Sequence, residues 1–194
     1  MPKSRQTASG DKMKPLFNET KATQAAARLL RLRGGRMSYV KLIKLLYLVD
    51  REALIRWGRP VTTDCHISTD NGPVVSRIDD LIRNEPEPNT ITIWGKFISA
   101  PEYYEVCLLG DPGNSELSPA EDQLIDEVFG QHGHHSRWAV VDYCRSLPEW
   151  IHPDGGALPI GYRDILKSAH KTEAEISAIE EALESSALAE RIMA

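Results

Sequence analysis

The stretch KLIKLLYLVDREALIRWGRP, Lys41 to Pro60, constrains the fold more than any other part of the chain. It is apolar enough to be one long helix through a core. At about 100° per residue, Lys41, Lys44, Glu52 and Arg56 gather on one side. Tyr39, Ile43, Leu46, Ala53, Leu54 and Trp57 gather on the other, and Asp50 falls in the centre of that apolar arc. A buried carboxylate needs donors. The residues after the helix offer several: Arg59, His66, Arg77 and the backbone amides of 71–75. The spacing therefore predicts that Asp50 is buried, with Arg77, and pins the following turn onto the helix.

Elements on either side follow from caps and breakers. Asn18 is placed to cap a helix that Gly34-Gly35 ends, and Ser38 to cap the long helix that Gly58 and Arg59-Pro60 stop. Residues 60–69 are strand-like. Gly72-Pro73 marks a tight turn, with proline suited to the first turn of a helix over 74–84. TITIWGKFI and YYEVCLL alternate and predict an antiparallel hairpin. Ser118-Pro119-Ala120-Glu121 is a capping box, the clearest helix start in the chain. Ser136 opens a further helix with Trp138, Val141 and Leu147 inward. Residues 152–162 read as loop. Ile165 and Leu166 lie on a short helix, and Thr172 to Glu175 is a second capping box. It opens a helix with Ile176, Ile179, Leu183, Ala187 and Ile192 along one side. The sum is a mainly α fold with a small antiparallel β element, an α+β domain over 16–170. A basic tail precedes it at 1–15, read as flexible, and an amphipathic helix follows at 171–194.

Chemistry is sparse. Three cysteines stand apart, as reduced thiols do. His132, His134 and His135 share one loop, but zinc wants two close ligand pairs from separate segments. No G-x-S-x-G and no glycine-rich phosphate loop is present. We therefore expect no enzyme, no metal and no cofactor. A formal net charge of −5 argues against a nucleic-acid coat. Arg28, Arg31, Arg33 and Arg36 are the one basic cluster that could serve the alternative, a DNA-binding regulator of winged-helix-like shape. No apolar run of about 18 residues offers a membrane span, and residues 1–15 lack the apolar segment of a secretory signal. The expected location is the cytoplasm.

Taken in order, these motifs resemble a known family. Lys41-Leu42, Lys44-Leu45, Tyr47 and Asp50, then Gly58-Arg59-Pro60, then Gly72-Pro73-Val74, are similar to the front half of the Panacea domain of SocA-like antitoxins. That family is also described as phage-associated. Leu117-Ser118 and SRWAVVDYCRSLPEW fit its second half, so the resemblance spans about 20–166. Tyr143-Cys144 departs from it, standing where members often carry Thr-His or Ser-His. The resemblance implies a mainly α domain without catalytic activity. It would neutralise a cognate protein toxin by direct binding and, in one branch, deliver it to a bacterial protease as an adaptor. An exposed tryptophan among charges near a turn is the mix that interface hot spots favour. On that ground we place the expected partner contact on the outer side of the long helix's end: Arg51, Trp57, Arg59, Asp64 and His66.

Overall fold

A computed structural model describes residues 16–83 and 92–193. In chain order the described elements are α1 (Glu19–Leu32), β1 (Arg36–Ser38), α2 (Tyr39–Trp57), β2 (His66–Thr69), β3 (Gly72–Val75) and α3 (Ser76–Ile82). There follow α4 (Trp94–Phe97), β4 (Glu105–Cys107), α5 (Pro119–His132), α6 (Arg137–Arg145), β5 (Leu158–Ile160), α7 (Tyr162–Ser168) and α8 (Glu173–Met193). The expected class, mainly α with small antiparallel sheets, is what the chain forms. The tail at 1–15 and the EPEPN loop lie outside the described residues.

α2 is the axis of the fold. It packs against α1, α5, α6, α7 and β3, and every residue from Lys41 to Asp50 is buried. A helix surrounded on all sides has no free polar face. The two-sided wheel is therefore corrected: Lys41 and Lys44 are interior residues, Lys44 only 1% exposed. α1 lies close by because it presents Ala22, Ala25 and Ala26, each without accessible surface. Asn18 caps it by accepting from the Lys21 amide at 2.9 Å. Ser38 holds the N-cap position of α2, but its side chain makes no capping bond. Gly58 ends α2 at φ 72°, the left-handed conformation that glycine adopts at no steric cost. The box at Ser118 and Glu121 forms as expected, and Leu124, Ile125, Val128 and Phe129 are buried.

Two sheets flank this bundle. β1 and β4 pair antiparallel, Arg36 opposite Cys107 and Ser38 opposite Glu105. β3, β2 and β5 form a three-stranded antiparallel sheet, with Thr69 opposite Gly72 at its turn and His66 opposite Ile160. Several expectations are corrected here. Gly72-Pro73-Val74 belongs to β3, and the helix begins only at Ser76. Pairing with β2 takes up those residues before the helix can start. Residues 94–97 form a helical turn, not a strand. The Ile93 and Trp94 amides are both held by the Glu19 carboxylate, at 2.5 and 2.8 Å, and the Trp94 side chain is buried. Among the described residues only isolated bridges remain of the expected hairpin, at Ile98–Leu108 and Glu102–Glu105; β4 pairs mainly with β1. Leu158–Ile160, read as loop, is an edge strand, where a proline is tolerated. Trp138 points outward at 55% exposed, and Ile192 lies at the solvent-facing end of α8.

Candidate functional site

The polar residues of α2 form two buried clusters, which meet where the Tyr47 ring packs against His66. Asp50 anchors the first and is without accessible surface. The chain leaves α2 at Gly58, turns at Pro60, and aims the next two amides at this carboxylate. Val61 and Thr62 donate to Oδ1 at 2.9 and 2.8 Å, and the Thr62 hydroxyl to Oδ2 at 2.5 Å. His66 Nε2 stands 3.2 Å from Oδ2. The His66 ring lies edge-on to Tyr47 at 5.4 Å and 5.7 Å from the Tyr162 ring. The donors are thus the Val61 and Thr62 amides rather than the expected ones of 71–75, with a hydroxyl and an imidazole. The side chains of Arg59 and Arg77 give no hydrogen bond to Asp50. Arg77 is corrected from buried to exposed: its guanidinium lies 5.6 Å from the Phe17 ring.

The start of α3 is held by a different carboxylate. Asp64 is buried and accepts from Arg77 N and Ile78 N, both at 3.0 Å, and from Cys65 N at 2.6 Å. Two of these are free first-turn amides of a helix, which favour an anion. Burial outweighs those bonds and pushes the Asp64 carboxyl up to about 6. A folded value above the unfolded one of about 3.9 means that the folded state binds the proton first. Stability from this group therefore rises as pH falls from about 7 towards 4. In Asp64→Asn the dependence is absent, so the melting temperature of wild type minus variant should grow as pH falls. A flat difference in melts from pH 7 to 4 would refute this.

The second cluster faces α6 and α7. Tyr47 Oη donates to Glu149 Oε1 at 2.8 Å, and Arg51 Nε donates to the same oxygen at 2.7 Å. Arg51 Nη2 also reaches Ser168 Oγ at 3.2 Å. Burial pushes Glu149 up, but the Arg51 bond and charge outweigh it and hold the carboxyl below its ordinary value. Lys44 donates to the Pro73 carbonyl at 2.8 Å, and burial lowers its ammonium to about 8. Lys41 closes the row, donating to the carbonyls of Gly133 at 2.5 Å and His135 at 2.6 Å. The histidine loop therefore serves as a set of backbone acceptors. Among the described residues no three His, Cys, Asp or Glu side chains converge as metal ligands. Cys144, packed into the core, has its thiol pushed up to about 12 by burial, which leaves no nucleophilic thiolate.

The expected contact surface is only partly on the outside. Trp57 and Arg59 are exposed, with Arg59 3.7 Å from Glu121. Arg51 is largely covered by Glu149, while Asp64 and His66 are buried at 1% and 2% exposed. These last three are corrected from surface to interior: Arg51 and His66 tie other segments to α2, and Asp64 holds the start of α3. α8 lies over the same turn: a Cβ placed on Gly58 would sit 3.1 Å from Ile179. The residues missed by sequence reasoning are Tyr103, Tyr104, Arg137 and Trp138: Arg137 lies against the rings of Tyr104 and Trp138, and Tyr103 is exposed next to Tyr104 in the chain. Their signal was the paired tyrosines of YYEVC, hidden by an alternation that reads as strand.

Fold and site define a small α+β domain whose buried charges hold one helix and its turns, with Trp57, Tyr103, Tyr104 and Trp138 left exposed. Residues 42–151, more than half of the chain, match the family described as Antitoxin SocA-like, Panacea domain, and the chain belongs to that family. The match is narrower than the resemblance read at 20–166 and excludes α1, α7 and α8. No curated protein and no solved structure matches the chain. Among the described residues no helix is long and apolar enough to cross a membrane.

Proposed function

We propose that this protein is an antitoxin that neutralises a cognate protein toxin by direct binding. The observation that carries the reading is the Panacea match over 42–151. The geometry supports a binding role over a catalytic one. The buried charges Asp50, Asp64, Lys41, Lys44 and Glu149 are each bonded to a backbone group or side chain that they hold in place. The DNA-binding alternative is weakened. Arg28, Arg31 and Arg36 of its basic cluster are paired with Asp126, Asp111 and Glu105 at 2.6 to 2.8 Å, which cancels the charge offered to phosphate.

The test is co-expression with the toxic reading frame beside the gene. Growth should be restored, and the two proteins should co-purify at a fixed ratio. No toxic neighbour, or a toxin that stays active and unbound, would end the reading. Delivery to a bacterial protease in the cytoplasm is its finer form. It predicts that the toxin disappears in a chase when the antitoxin is present, whereas simple neutralisation leaves the toxin intact.

A further inference from the structure

The turn Glu102-Tyr103-Tyr104-Glu105 is a two-residue hairpin loop. Glu102 N donates to Glu105 O at 2.9 Å and Glu105 N to Glu102 O at 3.0 Å. Both central residues have positive φ, 50° for Tyr103 and 66° for Tyr104. Such turns take Asn-Gly because bulky residues are strained there. Here two tyrosines occupy those positions, and Tyr103 is 86% exposed. The chain is held in this form by Tyr39, whose amide donates to the Tyr104 carbonyl at 3.0 Å and whose ring stacks on Tyr104 at 6.4 Å.

Arg137, at the start of α6, lies between this turn and the exposed Trp138. Its guanidinium carbon is 5.6 Å from the Tyr104 ring centre and 4.8 Å from that of Trp138. Several arginines elsewhere answer carboxylates: Arg28 to Asp126, Arg51 to Glu149, Arg56 to Glu127. Arg137 makes no ion pair among the described residues, and its charge is met only by the two rings. Aromatic faces occupy the flat sides of a guanidinium and leave its N–H edges, which match a carboxylate with two parallel bonds.

We propose that the Tyr103-Tyr104 turn and the Arg137-Trp138 start of α6 form the docking surface for the toxin, receiving an apolar face of it that carries a carboxylate for Arg137. This rests on the antitoxin reading above and adds the place and the chemistry of contact. Tyrosine, tryptophan and arginine are the residues in which interface binding energy concentrates. Stacked rings with an arginine also suit single-stranded nucleic acid. The net charge of −5 opposes a phosphate chain, which carries a charge at every nucleotide, more than a single carboxylate.

The experiment is titration calorimetry of the full chain with the toxin of the neighbouring gene, using wild type, Arg137→Glu, Tyr103→Ala and Trp138→Ala. Arg137→Glu should raise Kd by about 30-fold or more with an unchanged thermal melt. Hydrogen exchange on the wild-type complex should slow at 102–105 and 137–143, and this decides the matter if a variant unfolds. Wild type that binds, with variants of equal affinity and no slowed exchange there, overturns the surface and leaves the antitoxin reading standing. Wild type that does not bind the toxin overturns both. Tight binding of a single-stranded oligothymidine that Arg137→Glu abolishes overturns the protein partner.

Discussion

Asp50→Ala should destabilise the domain by about 3–5 kcal/mol, the range for breaking a buried polar network. The substitution strands two backbone N–H groups, the Thr62 hydroxyl and the His66 imidazole in a site without accessible surface. Each stranded buried donor costs about 1–3 kcal/mol, and relaxation of the turn recovers part of the sum. In a domain of this size the melting temperature should fall by roughly 6–20 °C. Asp50→Asn should cost less, because its amide oxygen still accepts from Val61 and Thr62. A melt of Asp50→Ala within a degree or two of wild type would show that the turn is held by something else. The same measurement bears on function indirectly. The anchored segment leads into β2, so loosening it disturbs His66 and the sheet that carries the start of α3.

Glu149→Ala should cost about 3 kcal/mol, since removing one partner of a buried ion pair leaves the other charge uncompensated. The charge left behind is Arg51, whose side chain is 12% exposed, and the Tyr47 hydroxyl loses its acceptor as well. Arg51 keeps Ser168 at 3.2 Å and Glu52 at 3.4 Å, which holds the loss at the lower end of the range. Tyr47→Phe should therefore be costly in wild type and nearly neutral in Glu149→Ala. A double-mutant cycle from urea denaturation reads the coupling as about 1–2 kcal/mol. Additive losses would dissolve the proposed trio. The sign of the pH effect is set by the lowered carboxyl of Glu149. Its stabilisation is present above the unfolded value of about 4.3 and is lost as pH falls through the lower folded value. The Asp64 dependence runs the other way, so the two variants separate the contributions.

Several elements follow from local chemistry and were legible in the chain. The caps at Asn18, Ser118 and Ser136, the glycine stop at Gly58 and the periodicity of α1 and α5 involve partners within about four residues, and all form as expected. So does the oddity of Asp50, because a carboxylate in an apolar arc demands donors wherever they come from. The order of motifs from Lys41 to Trp150 was enough to place the chain in its family.

What only the tertiary structure decided are the matters settled by distant partners. Lys41 and Lys44 read as a solvated face, yet α6, its preceding loop and β3 close over them and supply carbonyl acceptors. Asp64 reads as surface charge near a turn, yet it holds α3; His66, read both as a donor to Asp50 and as a surface residue, is buried against Asp50. TITIWGKFI alternates like a strand, but Glu19, 74 residues away in sequence from Ile93, captures the amides that start a helical turn. Trp138 sits at helical spacing for a core position, and only the packing of α6 turns it outward against Arg137. Periodicity reports which side of an element is apolar. It cannot report how many sides are covered, and for a helix at the centre of its fold that number decides which residues are left for a partner.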